Sequence, residues 1–368
     1  MGLFKGESKL SLGIDIGTSA VKLVELEREE EKLKLRTYGI LQLPKKYFEY
    51  LKEKPLVLPF PAEDLAEMIS VLMKKSKAES KKAYFSIPVY SSFSCVIEIP
   101  NIPEEEIASA VTFEAKKYIP VPISDVVLDW SIIPFPSGLL NREKQSSISL
   151  NSPAKDKSTK TDINSQKIQV LLVAVPKETI HKYNKISELC NIKIKGLEAE
   201  IFSLARSLVG KSKDGIVLVD SGARSTNISI IDGGYIRVTH NLEKGGAQIT
   251  ELISQKMNIP IEDAEELKRK GVNSEVRSII YSVYDSIISE IRKIIYSYEN
   301  KYSRKIEKCV LAGAGTDIVG IREYLERRLE RNTIKGKPFS RIVYPSILNP
   351  AIDEIESSLA VAVGVAMK

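Results

Sequence analysis

The 368 residues carry 54 Lys and Arg against 48 Asp and Glu, a net charge of +6 with both signs interspersed, and 43% of the chain is apolar. That is enough apolar material for two domains or one bilobed fold at roughly 100–200 residues per domain, and it argues against a disordered chain; the charge forms no basic tract, and no nucleic-acid partner is expected. Three scattered cysteines (Cys95, Cys190, Cys309) and two histidines (His181, His240) speak against a disulfide framework, a Cys/His metal site and a His-based nucleophile, and point to a reducing compartment. No run approaches ~18 apolar residues, and the start lacks the apolar core of a signal peptide, so a cytoplasmic chain is expected.

Leu10, Leu12, Ile14 and Ile16 alternate with Ser11, Gly13 and Asp15, the period of a strand. A turn at Thr18–Ser19 leads to a second alternating run from Val21 to Leu26, and a third follows over Leu35–Leu43, so the chain opens as a β-meander. After a Pro- and Tyr-rich connection (44–62), Leu65, Ile69, Leu72 and Met73 fall on one helical side. Tyr84–Pro88 and Phe93–Ile99 read as strands; Pro103 and Glu104–Glu106 open a helix with acids where the dipole is positive. Residues 137–167 contain seven serines and no aromatic residue, a composition that cannot offset its ordering entropy, and are expected to form a long loop between Val126–Ile133 and Ile168–Val175. Helices are predicted at 176–190, 197–209 and 275–298, strands at 216–220, 226–232 and 235–240, and a short strand at 308–312 runs into Gly313-Ala314-Gly315.

The informative feature is an internal echo. Gly13-Ile14-Asp15-Ile16-Gly17-Thr18-Ser19 ends one strand and begins another; about 205 positions later Val219-Asp220-Ser221-Gly222-Ala223-Arg224-Ser225-Thr226 repeats the pattern, as two related lobes would. Glycine lets backbone N–H groups approach an anion, Thr18, Ser19, Ser225 and Thr226 can donate hydroxyls, and Lys22 can reach a phosphate oxygen. Asp15 and Asp220 would face one another, and a magnesium ion asks for one or two carboxylates together with phosphate and water. A Gly-x-Gly between strand and helix (Gly313, Ala314, Gly315) suits a flat ring lying on backbone; Ile318 at the sixth position speaks against a dinucleotide fingerprint, and no P-loop sequence is present.

On these motifs the chain resembles the actin-like ATPase superfamily, and within it the type IV pilus assembly PilM family, related to the division protein FtsA. The resemblance runs through Leu12–Leu26, Phe113–Pro122, Val127–Trp130, Glu198–Arg206 and Gly245–Thr250. It implies an α/β, bilobed actin-like fold with four subdomains. The first lobe core would hold 9–82, 197–213 and 341–368; an FtsA-type insert 83–196; the second lobe core 214–244 and 306–340; and a further subdomain 245–305. It also implies an ATP site of Asp15, Gly17, Thr18, Ser19 and Lys22 on one lobe and Asp220, Gly222, Ser225, Thr226, Gly245 and Gly246 on the other. Glu265 and Lys268 would lie by the ribose and base, and Gly313, Ala314 and Gly315 under the adenine. Magnesium would be held by Asp15 and Asp220 through water. Glu198 and Glu200 stand where some relatives carry a water-positioning acid, so the chain is at most a slow ATPase. Arg224 replaces a glycine of many relatives and either nears the phosphates or points to solvent.

The implied partner is the N-terminal cytoplasmic tail of PilN, in a groove between the first lobe and the insert, together with other proteins of the pilus platform and motor. Membrane association would be peripheral to the inner membrane and only through that partner. Two alternatives stay open: a small-molecule kinase of the same superfamily, for which no substrate-side general base is evident, and an FtsA-like division protein, for which the run Ala360–Lys368 lacks the basic amphipathic pattern of a membrane anchor.

Overall fold

The computed structural model describes residues 10–44, 58, 60–136, 167–271 and 273–368. Most of the expected irregular connection and all but the last residue of the expected 137–167 loop lie outside them.

β1 (Leu10–Ile16), β2 (Ala20–Glu29) and β3 (Lys32–Gln42) form the antiparallel meander read from their alternation. α1 (Ala62–Ser76) follows, with Glu63 and Asp64 in its first turn and Lys74 and Lys75 in its last, each end matched to the helix dipole. β4 (Lys82–Ile87) then pairs in parallel with β1. Here the chain leaves the sheet. β5 (Phe93–Pro100), α2 (Glu104–Ala115), β6 (Val126–Ile133) and β7 (Lys167–Pro176) build a separate three-stranded sheet of order β5-β7-β6. α3 (Lys177–Leu189) returns it to β8 (Lys193–Ala199), which pairs in parallel with β4.

α4 (Glu200–Leu204) and a π-turn at Ala205–Val209 lead into the second sheet. β9 (Ile216–Ser221), β10 (Thr226–Asp232) and β11 (Tyr235–Leu242) are again an antiparallel meander. α5 (Gly246–Met257), α6 (Ile261–Lys270) and α7 (Ser274–Tyr302) follow, the last capped by Asn273, whose Oδ1 accepts from the Val276 amide at 2.7 Å. β12 (Lys308–Ala312) pairs in parallel with β9 and, after α8 (Ile321–Leu329), β13 (Asn332–Lys335) with β12. β14 (Ile342–Val343) joins the edge of the first sheet beside β3, and α9 (Asn349–Ala366) is the last helix. The sheet orders are β14-β3-β2-β1-β4-β8 and β11-β10-β9-β12-β13. Apart from β14, both are a meander extended by two parallel strands, so the echo in sequence is a duplication in topology.

Two expectations shift. Residues 83–87 and 193–196, counted with the insert, belong to the first sheet, and Tyr183 and Ile186 of α3 pack in the core under α1; the separate sheet begins at β5 and ends at β7. The helix expected over 197–209 begins only at Glu200, because Leu197, Glu198 and Ala199 pair with Phe85, Ser86 and Ile87 of β4. Strand pairing in the sheet outweighs the helical pattern of these residues.

α4 and α9 share a core with both sheets: Ala199, Ile201 and Leu204, Ile216 and Leu218 of β9, Val310 of β12, and Ala360, Val361 and Val365 form one buried cluster. α9 makes these contacts with its backbone. A Cβ on Gly364 would lie 1.9 Å from the Ser203 carbonyl oxygen, and one on Gly13 of β1 would lie 2.4 Å from the Ala362 carbonyl oxygen. No neighbouring side chain can yield there. Gly364→Ala is expected to cost at least about 2 kcal/mol of unfolding free energy, within the range for overpacking; a urea midpoint equal to wild type would show that α9 does not sit this close.

Candidate functional site

The two Asp turns are built alike. Each closes with the glycine amide donating across the turn, Gly17 N to Ala20 O at 3.0 Å and Gly222 N to Ser225 O at 2.9 Å. Each aspartate ends an inner strand and faces a cross-strand partner seven residues on: Asp15 opposes Lys22, and Asp220 opposes Asn227. Lys22 Nζ donates to Asp15 Oδ2 at 3.0 Å, and Ser86 Oγ to Asp15 Oδ1 at 2.6 Å. Asn227 Nδ2 donates to Asp220 Oδ2 at 3.3 Å and to Glu200 Oε1 at 2.8 Å, and Glu200 Oε1 also accepts from the Val89 amide at 3.1 Å. Glu200, on the first residue of α4, therefore ties the crossover after β4 in the first lobe to β10 in the second.

The electrostatics bring these groups into one site. Burial, then the charges of Asp220 and Asp15, push the Glu200 carboxyl up from about 4.5 to about 8. Burial raises Asp220 too, with Asp15 adding to it and Lys22 and Asn227 opposing. For Lys22 burial acts downward, but Asp15, Asp220 and Glu200 together outweigh it and the ammonium is held more firmly than usual. Among the described residues no group of three or more His, Cys, Asp or Glu is arranged to hold a metal. Asp15 and Asp220 can still share a hydrated cation with phosphate oxygens, since magnesium keeps several of its waters.

The remaining expected residues surround this centre. The N-terminus of α5 packs on the second turn: Gly246 N donates to Gly222 O at 3.0 Å and Ala247 N to Ala223 O at 2.8 Å, while a Cβ on Gly245 would lie 2.6 Å from the Gly222 and Ala223 oxygens. Gly313, with φ of +80°, lies against Asp220 and Ser221, and Gly315 against the Ser221 hydroxyl; a Cβ at either would come within 2.4 Å of Ser221. Ala314, between them, opens the short helical turn Ala314–Asp317. The Thr226 hydroxyl is spent on the Lys244 carbonyl at 2.8 Å. Thr18, Ser19 and Ser225 are partly exposed in the two turns. Lys268 and Glu265 engage each other and Thr250 beside Gly246: Lys268 Nζ lies 2.5 Å from Glu265 Oε2 and donates to Gly246 O at 3.1 Å. Burial pulls the Lys268 ammonium down, and Glu265 opposes it.

Glu198 is engaged elsewhere. It sits in β8, receives Arg206 at 2.6 and 2.8 Å and the Ser203 hydroxyl at 2.8 Å, and pairs with Lys368 at 3.2 Å. Arg206 also donates to Gly364 O at 2.6 Å, so Glu198 helps hold α9. Sequence reasoning missed Ser86 and Asn227. The signal for Asn227 was present: it follows Asp220 by the seven positions that separate Lys22 from Asp15. Arg224 does not point free into solvent: its guanidinium lies 5.4 Å from the centre of the Tyr90 ring, across the gap between the lobes.

Beside Tyr90, between the inserted sheet and β11, lies a cavity of about 280 Å³ bordered by Cys95, Tyr118, Thr239 and His240. It flanks the acid cluster and does not contain it. The inserted sheet rests on the second lobe there through Ser94 Oγ and Thr239 Oγ1, 2.9 Å apart. Exposed apolar side chains, Phe113, Tyr118, Val127 and Ile132, lie on α2, the segment after it and β6.

Glu200 gives a pH signature with a defined sign. At low pH its carboxyl is protonated folded and unfolded. As pH rises above about 4.5 the unfolded chain releases the proton first, and the folded state is progressively penalised until its own group ionises near 8. Glu200→Gln, which keeps an acceptor for Val89 and Asn227, is expected to gain stability relative to wild type between pH 5 and 9. A wild-type-minus-variant difference that does not change over that window would contradict the buried acid.

The model of the family described as type IV pilus assembly protein PilM matches residues 13–141 and 156–368. The cell division protein FtsA of Bacillus subtilis (strain 168) is 23% identical over 274 residues, 72% of this chain and 58% of that protein, so this chain spans little more than half the length of that relative. FtsA of Enterococcus faecalis is 30% identical over 95 residues, a quarter of this chain and 22% of its own. Among solved structures, the PilM-PilN type IV pilus biogenesis complex contains a chain of TM-score 0.78 and 23% identity, with 97% of both chains covered. The ethanolamine utilization protein EutJ of Carboxydothermus hydrogenoformans follows at TM-score 0.57 and 14% identity (97% and 89% covered), and MreB5 of Spiroplasma citri bound to AMPPNP at 0.50 and 12% (98% and 96%). The fold is that of the actin-like ATPases, and the chain belongs to the type IV pilus assembly protein PilM family.

Proposed function

We propose that this protein is a cytoplasmic, ATP-binding component of the type IV pilus inner-membrane platform that docks the N-terminal cytoplasmic tail of PilN. The observation that carries the nucleotide half is the convergence of Asp15, Asp220 and Glu200 on Lys22, the two aspartates coming from matching strand ends of two topologically equivalent sheets and Glu200 from the start of α4. Three carboxyl groups against one ammonium suit a ligand that brings a divalent cation as well as phosphates. The backbone of Gly17–Ser19 and Gly222–Ser225 would line the phosphates, with Thr226 shaping the second turn from below. Asp15 and Asp220 would hold magnesium through water, and Gly313–Gly315 would support the adenine. Lys268 and Glu265 would adjoin the ribose after exchanging part of their mutual contact. Bound magnesium would neutralise phosphate charge.

Glu200 sits where an acid could orient a water; without a bound cation its carboxyl stays mostly protonated at neutral pH, and hydrolysis would be at most slow. Glu198, occupied by Arg206, is left with a structural part. Docking of the PilN tail draws on the family and on the similarity to a chain seen with PilN. No helix among the described residues is long and apolar enough to cross a membrane, so attachment through a partner's tail would supply the inner-membrane location. Other platform and motor proteins would be reached through the same assembly.

Asp15→Ala is expected to weaken ATP binding by at least about tenfold, roughly 1.4 kcal/mol. Calorimetry on a folded variant with unchanged affinity would contradict the nucleotide site. Vesicles of anionic lipid displaying the PilN tail are expected to sediment the protein at ~0.15 M salt, where loose surface charge is screened, while bare vesicles leave it in the supernatant. Equal sedimentation by both would favour an FtsA-like mode of membrane attachment.

A further inference from the structure

Among the described residues, five buried side-chain polar atoms have no hydrogen-bond partner: Ser11 Oγ, Tyr90 Oη, Ser91 Oγ, Thr179 Oγ1 and Arg224 Nη1. Three of the five lie on two segments that face each other. Tyr90 and Ser91 lie on the short helical turn Val89–Ser91 that follows β4 in the first lobe; Arg224 lies on the β9–β10 turn of the second and places its guanidinium over the Tyr90 ring, 5.4 Å from its centre. The hydroxyls of Tyr90 and Ser91 are near one another without a hydrogen bond of normal geometry, and Tyr90 feels the charges of Glu200, Arg224 and Asp15.

The neighbouring acids do not satisfy these donors. Asp15 is taken by Lys22 and Ser86, and Glu200 by Val89 and Asn227. Arginine only donates, and a guanidinium with two hydroxyls is a donor set that a tetrahedral oxyanion completes. The position selects which phosphate. Gly313, the expected support for the base, packs on the Asp220–Ser221 end of the second turn. Arg224 leaves the other end of that turn and reaches the first lobe next to Val89, whose amide holds Glu200.

We propose that Arg224, Tyr90 and Ser91 form the seat of the terminal phosphate of a nucleoside triphosphate, so that this site distinguishes triphosphate from diphosphate. The inference rests on the nucleotide reading above and names side chains that reading does not use. Tyr90 adjoins both the phosphate turns and the cavity beneath the inserted sheet, so occupancy of the seat would be felt where that sheet meets the second lobe.

The test is titration of the full chain, with magnesium, by AMPPNP and by ADP. Arg224→Ala is expected to weaken AMPPNP binding by about tenfold or more, the effect of losing a charge-assisted contact, while ADP affinity changes less than about twofold. Arg224→Lys should recover part of the loss. Tyr90→Phe, which removes one hydroxyl and keeps the ring, should move the AMPPNP-to-ADP ratio the same way by a few-fold. A ratio unchanged in these variants, with wild-type protein binding both ligands, overturns this inference alone. Wild-type protein that binds neither ligand overturns it together with the nucleotide reading.

Discussion

Asp15 and Glu200 are buried, Asp220 lies half-buried beside them, and a single ammonium, the half-buried Lys22, balances all three; much of the molecule is arranged to make that tolerable. Isolated buried carboxylates are costly unless they are paired, hydrogen-bonded or protonated. All three remedies are used. Asp15 takes an ion pair and the Ser86 hydroxyl, Asp220 takes the Asn227 amide, and Glu200 keeps its proton to about pH 8 while accepting from Val89 and Asn227. Because Val89 belongs to the first lobe and Asn227 to the second, relieving one charge also ties the lobes together.

That arrangement makes the site responsive to what enters it. A ligand carrying a divalent cation would lower the cost of ionising Glu200 and Asp220, and any change in their protonation acts on hydrogen bonds that span the two sheets. α4 and α9 lie in the core shared by those sheets, with Gly13 and Gly364 allowing backbone to rest on backbone. Such close packing passes displacements on instead of absorbing them. The inserted sheet, resting on β11 through Ser94 and Thr239, borders the same region.

The opening meander of the first sheet, both Asp turns and the strand-to-turn passage at Gly313–Gly315 were legible in the sequence. Alternation in β1 and β2 and the spacing of the echo depend on local backbone period, which a single chain displays directly. The union of Asp15 and Asp220 was legible only as symmetry. Glu200 was one of two acids two positions apart, and nothing local separated them. What separates them is that β8 runs on through Ala199 to pair with β4, leaving Glu198 on the sheet beside Arg206 and Glu200 at the start of α4 facing both aspartates. The extent of the insert was misjudged for a related reason: β4, α3 and β8 have no sequence mark saying which sheet they join, since parallel pairing is decided by partners far along the chain. Tyr90 and Ser91 carried no motif at all and are recognisable only as donors left without acceptors.

Everything above depends on a single nucleotide binding between the two Asp turns. A crystal structure of the protein with magnesium and a non-hydrolysable ATP analogue tests it most directly. The phosphates are expected between Gly17–Ser19 and Gly222–Ser225, with the metal bridged by water to Asp15 and Asp220. A nucleotide found elsewhere on the molecule, or no density between the turns at saturating analogue, would contradict it.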